Sequence, residues 1–219
     1  MSASRRDPLL LTLYEEFLET EDTAEFVRRT ARCYDPGSLE RLLGHAYRKV
    51  RRAAVFALGF LADYDANHVL GRALHDEDRT VRLLAEDAIR NVWKRVGTAD
   101  HRRELSAVLR LNSAKQFAEA RRRATQLTQK TPWMAEAWNQ RARAWFALAR
   151  YPEAVRDCHQ ALELNPYHFA AAARMGQAYL RLGNQVSALE SFRRALRLNP
   201  NLEDVRAHVE RLARLIEGK

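Results

Sequence analysis

Residues able to do chemistry are scattered along this chain. It has seven histidines, His45, His68, His75, His101, His159, His168 and His208, and two cysteines, Cys33 and Cys158. A zinc site needs three or four nitrogen or sulfur ligands brought together. His68 and His75 could share one helical face, two turns apart, but no cysteine or carboxylate completes a set around them. The histidines are therefore read as surface residues. The acidic run HDED at 75–78 has oxygens suited to a hard cation. It precedes a helical pattern, however, and aspartates there satisfy the free amides of a helix start. The cysteines form no redox or metal spacing and read as buried, reduced thiols of a cytoplasmic protein. No G-x-S-x-G, P-loop, G-x-G-x-x-G or H-E-x-x-H is present. The expectation is a non-enzyme with no catalytic residue, no cofactor and no metal.

What remains is charge. The chain carries 37 Lys+Arg against 28 Asp+Glu, a formal net charge of +9. Residues 1–100 hold 16 basic and 17 acidic residues, and residues 101–219 hold 21 and 11. All of the basic excess lies in the second half, which points to an acidic partner for that half. A chain that is 47% hydrophobic can bury a core, which excludes disorder. Eight glycines and six prolines are too few for the turns of an all-β protein. No apolar stretch is long enough to span a membrane. The start, SASRRDPLLLTLYEEFLE, has a twin-arginine pair, but its apolar run meets Glu15 and Glu16 at once, so an amphipathic first helix is expected instead.

The elements that position these residues show themselves as repeats. QALELNP (160–166) returns as RALRLNP (194–200), and Pro132, Pro166 and Pro200 stand thirty-four apart. Ala and Leu favour helix, and proline ends it. Ala120, Ala154 and Ala188 share the same interval, as do Ala161 with Ala195, Cys158 with Phe192 and Trp145 with Tyr179. Small residues let helices approach, and aromatics fill the space between pairs. In the first half VRRTA (27–31), VRRAA (50–54) and VRLLA (81–85) share Val-Arg-x-x-Ala, the last two thirty-one apart. Trp133 is left open between packing and base stacking.

The thirty-four-residue unit resembles the tetratricopeptide repeat, whose signature is W-x2-L-G-x2-Y, then A-x3-F, then P. WNQRARAW (138–145) has Arg141-Ala142 where Leu-Gly is usual, AARMGQAY (172–179) keeps Gly176 and Tyr179, and both later halves fit. The resemblance implies three repeats, 101–134 (degenerate), 135–168 and 169–202, with a cap helix over 203–217. ALGFLAD followed by LHDEDRTVRLLAEDAI resembles short bacterial HEAT-like repeats, which implies that Asp76 and Asp78 cap a helix. The domain reading is HEAT-like repeats with an N-terminal cap helix over 1–97 and tetratricopeptide repeats over 98–219. A helix over 98–112 belongs to both, in one right-handed, all-α helical-repeat solenoid of about thirteen helices without a sheet.

Tetratricopeptide arrays bind extended peptides in the groove lined by the first helix of each pair. Carried over, the groove side chains are Arg102, Asn139, Gln140, Arg143, Phe146, Arg174, Gln177 and Arg181. Guanidinium groups beside amides suit carboxylates. The chaperone-binding carboxylate clamp fails, since its positions carry Leu105, Leu109 and Ala170 and only Arg174 is retained. Three functions compete. The first is a protein-interaction scaffold with an acidic peptide or protein partner. The second is sequence-independent nucleic-acid binding by the basic half. The third is a bilin-lyase-like activity, implied by the HEAT resemblance alone.

Overall fold

Each Asn-Pro phrase closes a helix. The computed structural model, which describes residues 8–218, places those helix ends at Leu164 and Leu198. Asn165 and Asn199 follow and are fully buried. Their Oδ1 atoms accept the amides of Tyr167 and Asn201, each at 3.0 Å. This Asx turn redirects the chain, so the phrase needs the asparagine as much as the proline. Thr131 holds the equivalent place one repeat earlier, and its hydroxyl donates to the Leu127 carbonyl at 2.8 Å.

Among the described residues there are thirteen α-helices, one 3-10 turn and no strand. This is the all-α helical-repeat fold that the two periods predict. The chain divides into two compact units, one ending at Val92 and the other beginning at Trp93. Arg5 and Arg6 lie outside the described residues.

The first unit draws on α1 (Leu9–Thr20), α2 (Thr23–Cys33), α3 (Pro36–Leu42), α4 (Arg48–Leu61), the 3-10 turn Tyr64–Ala66, α5 (Asn67–Ala73) and α6 (Arg79–Arg95). Tyr14, Phe17, Phe26 and Phe56 pack ring against ring, with Phe17 and Phe56 stacked at 4.6 Å. The Val-Arg-x-x-Ala phrase has one physical cause in its second and third copies; in the first, Ala31 is exposed and Arg28 pairs with Glu25. Val50, Val81, Ala54 and Ala85 are buried, while the arginine reaches back over the preceding turn. Arg51 donates to the carbonyls of His45 and Ala46 at 3.0 and 3.1 Å. Arg82, thirty-one residues on, donates to those of Asp76 and Glu77 at 2.9 and 3.2 Å. Arg51 also grips Asp76 with two bonds of 2.8 and 3.0 Å, and Arg52 grips Asp78 at 2.8 and 2.6 Å. Asp78 accepts the Val81 amide at 3.0 Å, the helix-capping role expected of it. The Arg52 guanidinium, joined by that amide, holds the Asp78 carboxyl down to about 2.

The second unit contains α7 (Ala99–Ser113), α8 (Phe117–Lys130), α9 (Ala135–Ala147), α10 (Tyr151–Leu164), α11 (Phe169–Arg181), α12 (Gln185–Leu198) and α13 (Glu203–Glu217). Three of its helix-to-helix turns share one geometry. Lys115, Ala149 and Gly183 have φ of 60°, 58° and 75°. The next amide, of Gln116, Arg150 or Asn184, donates to the carbonyl five residues back at 2.9 Å. This is the left-handed helix stop of a Schellman motif. Ala120, Ala154, Ala161, Ala188 and Ala195 are fully buried. Gly176 lies so close to the Phe192 ring that a Cβ would sit 2.7 Å from it. Arg141, standing where leucine is usual, is compensated. It holds Asp157 with bonds of 2.7 and 2.8 Å, donates to the Thr128 hydroxyl at 2.8 Å and lies 4.5 Å over the Trp138 ring. Burial still pushes the Asp157 carboxyl up, outweighing the Arg141 guanidinium.

Candidate functional site

Helices α9 and α11 occupy equivalent places in successive repeats and carry seven of the eight groove residues named from the sequence. Thirty-four residues separate Gln140 from Arg174 and Arg143 from Gln177, so each position offers one amide and one guanidinium. Arg174 Nε donates to Asn139 Oδ1 at 3.5 Å, which brings the two helix faces together. Arg143 is half-buried, whereas Gln177 and Arg181 are exposed. Arg143, Gln177 and Arg181 form no ion pair or hydrogen bond among the described residues. Phe146 packs edge-on against Tyr151, with ring centres 5.5 Å apart.

Asn139 and Gln140 point inward. Both are buried and donate to the buried Glu136 carboxylate, at 3.2 and 2.6 Å. His168 Nε2 lies 2.9 Å from the same carboxylate, and its Nδ1 accepts the Ala171 amide at 3.2 Å. An Nδ1 that accepts leaves Nε2 as the donor. Burial pushes the Glu136 carboxyl up, but hydrogen bonds from His168, Gln140 and Asn139 outweigh it and hold it below the usual range. Asn112 extends the network from α7, donating to the Gln140 side chain at 3.0 Å. Trp93 stacks on the His168 ring at 4.2 Å. The two amides are thus engaged in a buried network rather than displayed at the helix surface.

The surface reading of the histidines fails at His168, which is fully buried. The acidic residue three and four positions before two amides, Glu136 before Asn139 and Gln140, is the signal that could have shown a shared helix face. Arg102 is engaged at the start of α7, where it donates to the carbonyls of Gly97 at 2.5 Å and Arg95 at 3.4 Å. Trp133 is half-exposed, with its ring edge-on to His101 at 5.9 Å. Among the described residues no group of three or more His, Cys, Asp or Glu could hold a metal, and no helix is long and apolar enough to cross a membrane.

Models of the tetratricopeptide repeat match residues 135–168 and 169–202, and a model of HEAT repeats matches 36–128. The HEAT match runs through α7 and most of α8, the hairpin counted from sequence as the first tetratricopeptide copy. No curated protein matches the chain in sequence. Among solved structures, the first TPR of Spaghetti (RPAP3) bound to HSP90 peptide SRMEEVD is 22% identical. That match covers 56% of this chain and 97% of the other, with a TM-score of 0.53. The first TPR domain of the human RPAP3 protein is 23% identical over 52% and 91% of the two chains, with a TM-score of 0.50. The Sgt2 TPR domain from Aspergillus fumigatus is 21% identical over 55% and 81%, with a TM-score of 0.52. Identities this low speak to fold alone. On its two periods, its helix turns and these matches, the chain carries HEAT repeats within residues 36–128 followed by tetratricopeptide repeats at 135–202.

Proposed function

We propose that the protein is a non-catalytic interaction scaffold, working in the cytoplasm, whose C-terminal repeats (98–219) receive an acidic peptide or protein segment along α9 and α11. The observation that carries this reading is the unpaired state of Arg143 and Arg181, one on each helix, in the half of the chain that holds the basic excess. A guanidinium that meets no carboxylate of its own chain is available to one from a partner. Arg174, already beside Asn139, supplies a third donor between them. The Spaghetti domain was solved with the HSP90 peptide SRMEEVD, itself acidic. Leu105, Leu109 and Ala170 stand at the clamp positions of chaperone-binding relatives, so the segment received here is recognised by its side-chain carboxylates. Of the two cysteines read as buried, Cys158 is buried but Cys33, at the end of α2, is exposed; both are free thiols, which suits a reducing compartment.

The test begins with affinity capture and identification of the bound protein. Arg143→Gln, Arg174→Gln and Arg181→Gln each remove charge and keep much of the stem. Each should weaken binding about tenfold, as expected for a charge-assisted hydrogen bond. Wild-type affinity in all three variants, at low and moderate salt, would overturn the groove.

A further inference from the structure

Two further unpaired guanidinium groups, those of Arg194 and Arg197, lie on another surface of the same repeats. Helices α10, α11 and α12 enclose an open cleft of about 430 Å³, within the size range of small-ligand sites. Arg193, Arg194 and Arg197 of α12 line it, facing His159 of α10 and Tyr179 of α11. Arg194 and Arg197 make no ion pair or hydrogen bond among the described residues. The lining holds one carboxylate, Glu190, which is likewise unpaired. His159 Nε2 and the Tyr179 hydroxyl stand 3.4 Å apart on the opposite wall, so a second pair of polar groups meets the arginines across the cleft.

This cleft is separate from the proposed peptide groove. At roughly 100° per residue, Met175 and Tyr179, which face the cleft, lie about 150° around α11 from the stripe formed by Arg174, Gln177 and Arg181. One helix thus presents two recognition surfaces. Arg194 and Arg197 against the one lining carboxylate, Glu190, leave the cleft cationic, and its polar groups approach from three helices rather than along a line. A linear run of carboxylates does not need that convergence. A compact group with several acceptor oxygens does, and a phosphate monoester offers three oxygens with a charge approaching −2 at neutral pH. Arginine forks match that geometry with paired bonds, and phenol and imidazole can satisfy the remaining oxygen.

We propose that the cleft between α10, α11 and α12 binds a phosphate monoester, of the kind carried by a phosphorylated serine or threonine of a partner protein, through Arg194 and Arg197. The test uses the full chain and follows the arginine Nε–Hε signals by NMR, assigned by substitution. The titrants are N-acetyl-phosphoserine amide, inorganic phosphate, and acetate at matched ionic strength. The Arg194 and Arg197 signals should shift and saturate with phosphoserine amide, and acetate should leave them in place. Saturation by inorganic phosphate as tight as by phosphoserine amide would overturn the assignment to a protein phosphoester in favour of free phosphate. Arg194→Gln/Arg197→Gln should weaken phosphoserine binding at least about tenfold with an unchanged melting temperature, whereas Arg181→Gln should leave it unaltered. Equal response to acetate, or wild-type affinity in the double variant, would sink the proposal. So would a single-stranded RNA that outcompetes phosphoserine amide with a steep salt dependence, since it would make the cleft part of a backbone-tracking surface.

Discussion

Arg51, Arg52 and Arg82, in the unit ending at Val92, all turn onto acceptors of their own chain: Asp76, Asp78 and four turn carbonyls. In the unit beginning at Trp93, Arg141 is held the same way by Asp157, whereas Arg143, Arg181, Arg194 and Arg197 make no such bond. The contrast does not follow from the charge asymmetry. Residues 1–100 hold 16 basic and 17 acidic residues, and residues 101–219 hold 21 and 11. Arg32, Arg48, Arg72 and Arg79 are also unpaired, so what sets the three fastening arginines apart is the acidic turn beside them, not the balance of charge. Arginine content alone would not separate these roles. Local acidic partners at the inter-helix turn do.

The sharpest way to break the contrast is to unpair an internal arginine. Asp157 is 7% exposed at its side chain, so Arg141→Ala strands a buried carboxylate and should cost about 3 kcal/mol in urea unfolding. Replacing both partners by leucine should recover most of that loss, because the pair's burial is itself costly. Arg181→Ala should change stability by less than about 0.5 kcal/mol. An equal cost for Arg141→Ala and Arg181→Ala would erase the distinction between fastening and free arginines.

Helix contact offers a second comparison. At Gly176 a new Cβ would meet the buried Phe192 ring at 2.7 Å, while at Gly59 it would meet Ala88 Cβ at 3.2 Å. Gly176→Ala should therefore destabilise by about 1–3 kcal/mol, measured as a lowered melting temperature. Gly59→Ala should fall within about 1 kcal/mol of neutral, since the tighter contact is offset by the better helix propensity of alanine.

Asp78 sharpens the first unit's side. Its carboxyl titrates near 2 when folded, below the ordinary value near 4. A depressed folded value means stability that is complete above about pH 4 and lost as pH falls towards 2. Asp78→Asn keeps the cap acceptor and removes the ion pair. It should cost about 1–2 kcal/mol at pH 7, and the gap from wild type should close by pH 2 in acid titrations. A gap constant with pH would mean that the cap, not the Arg52 pair, supplies the stability.

The two periods made the helices, their small-residue contacts and the capping Asp78 legible, because periodicity records which positions must repeat to stack one hairpin on the next. Asp76, also expected to cap, instead holds Arg51 and the Asp78 amide in the turn before the helix. Charge partners across a turn were not legible. Val-Arg-x-x-Ala was visible as a phrase, but the reason for its arginine lies in carbonyls five and six residues back, which have no side-chain identity to read. The candidate groove was legible only in part. Arg143, Gln177 and Arg181, named through the family resemblance, are half-buried or exposed and unpaired, whereas Asn139 and Gln140 turn inward to Glu136, and His168 reaches that carboxylate from thirty-two residues away. The α12 cleft was missed because its arginines sit on the second helix of a repeat, outside the face to which the family resemblance drew attention.

The smallest expected effect concerns backbone rather than charge, and it bears on how far the second unit's regularity extends. Lys115, Ala149 and Gly183 occupy one left-handed turn position in three successive hairpins, yet Gly183 is the only glycine of the three. A side chain with a Cβ pays a steric cost in this region that glycine avoids. A Cβ at Gly183 would meet no neighbouring atom, so that cost is one of backbone conformation, not of crowding. Ala149→Gly and Lys115→Gly should each raise stability by about 0.5–1 kcal/mol, net of the added freedom of the unfolded chain. Gly183→Ala should lower it by about as much. The first two sites lie one repeat apart and share no partner, so their gains should add in the double variant. A gain at Ala149 with none at Lys115, read from chemical unfolding, would show that the hairpin of α7 and α8 keeps the turn's dihedral angle without its energetics. The thirty-four-residue rule would then begin at α9.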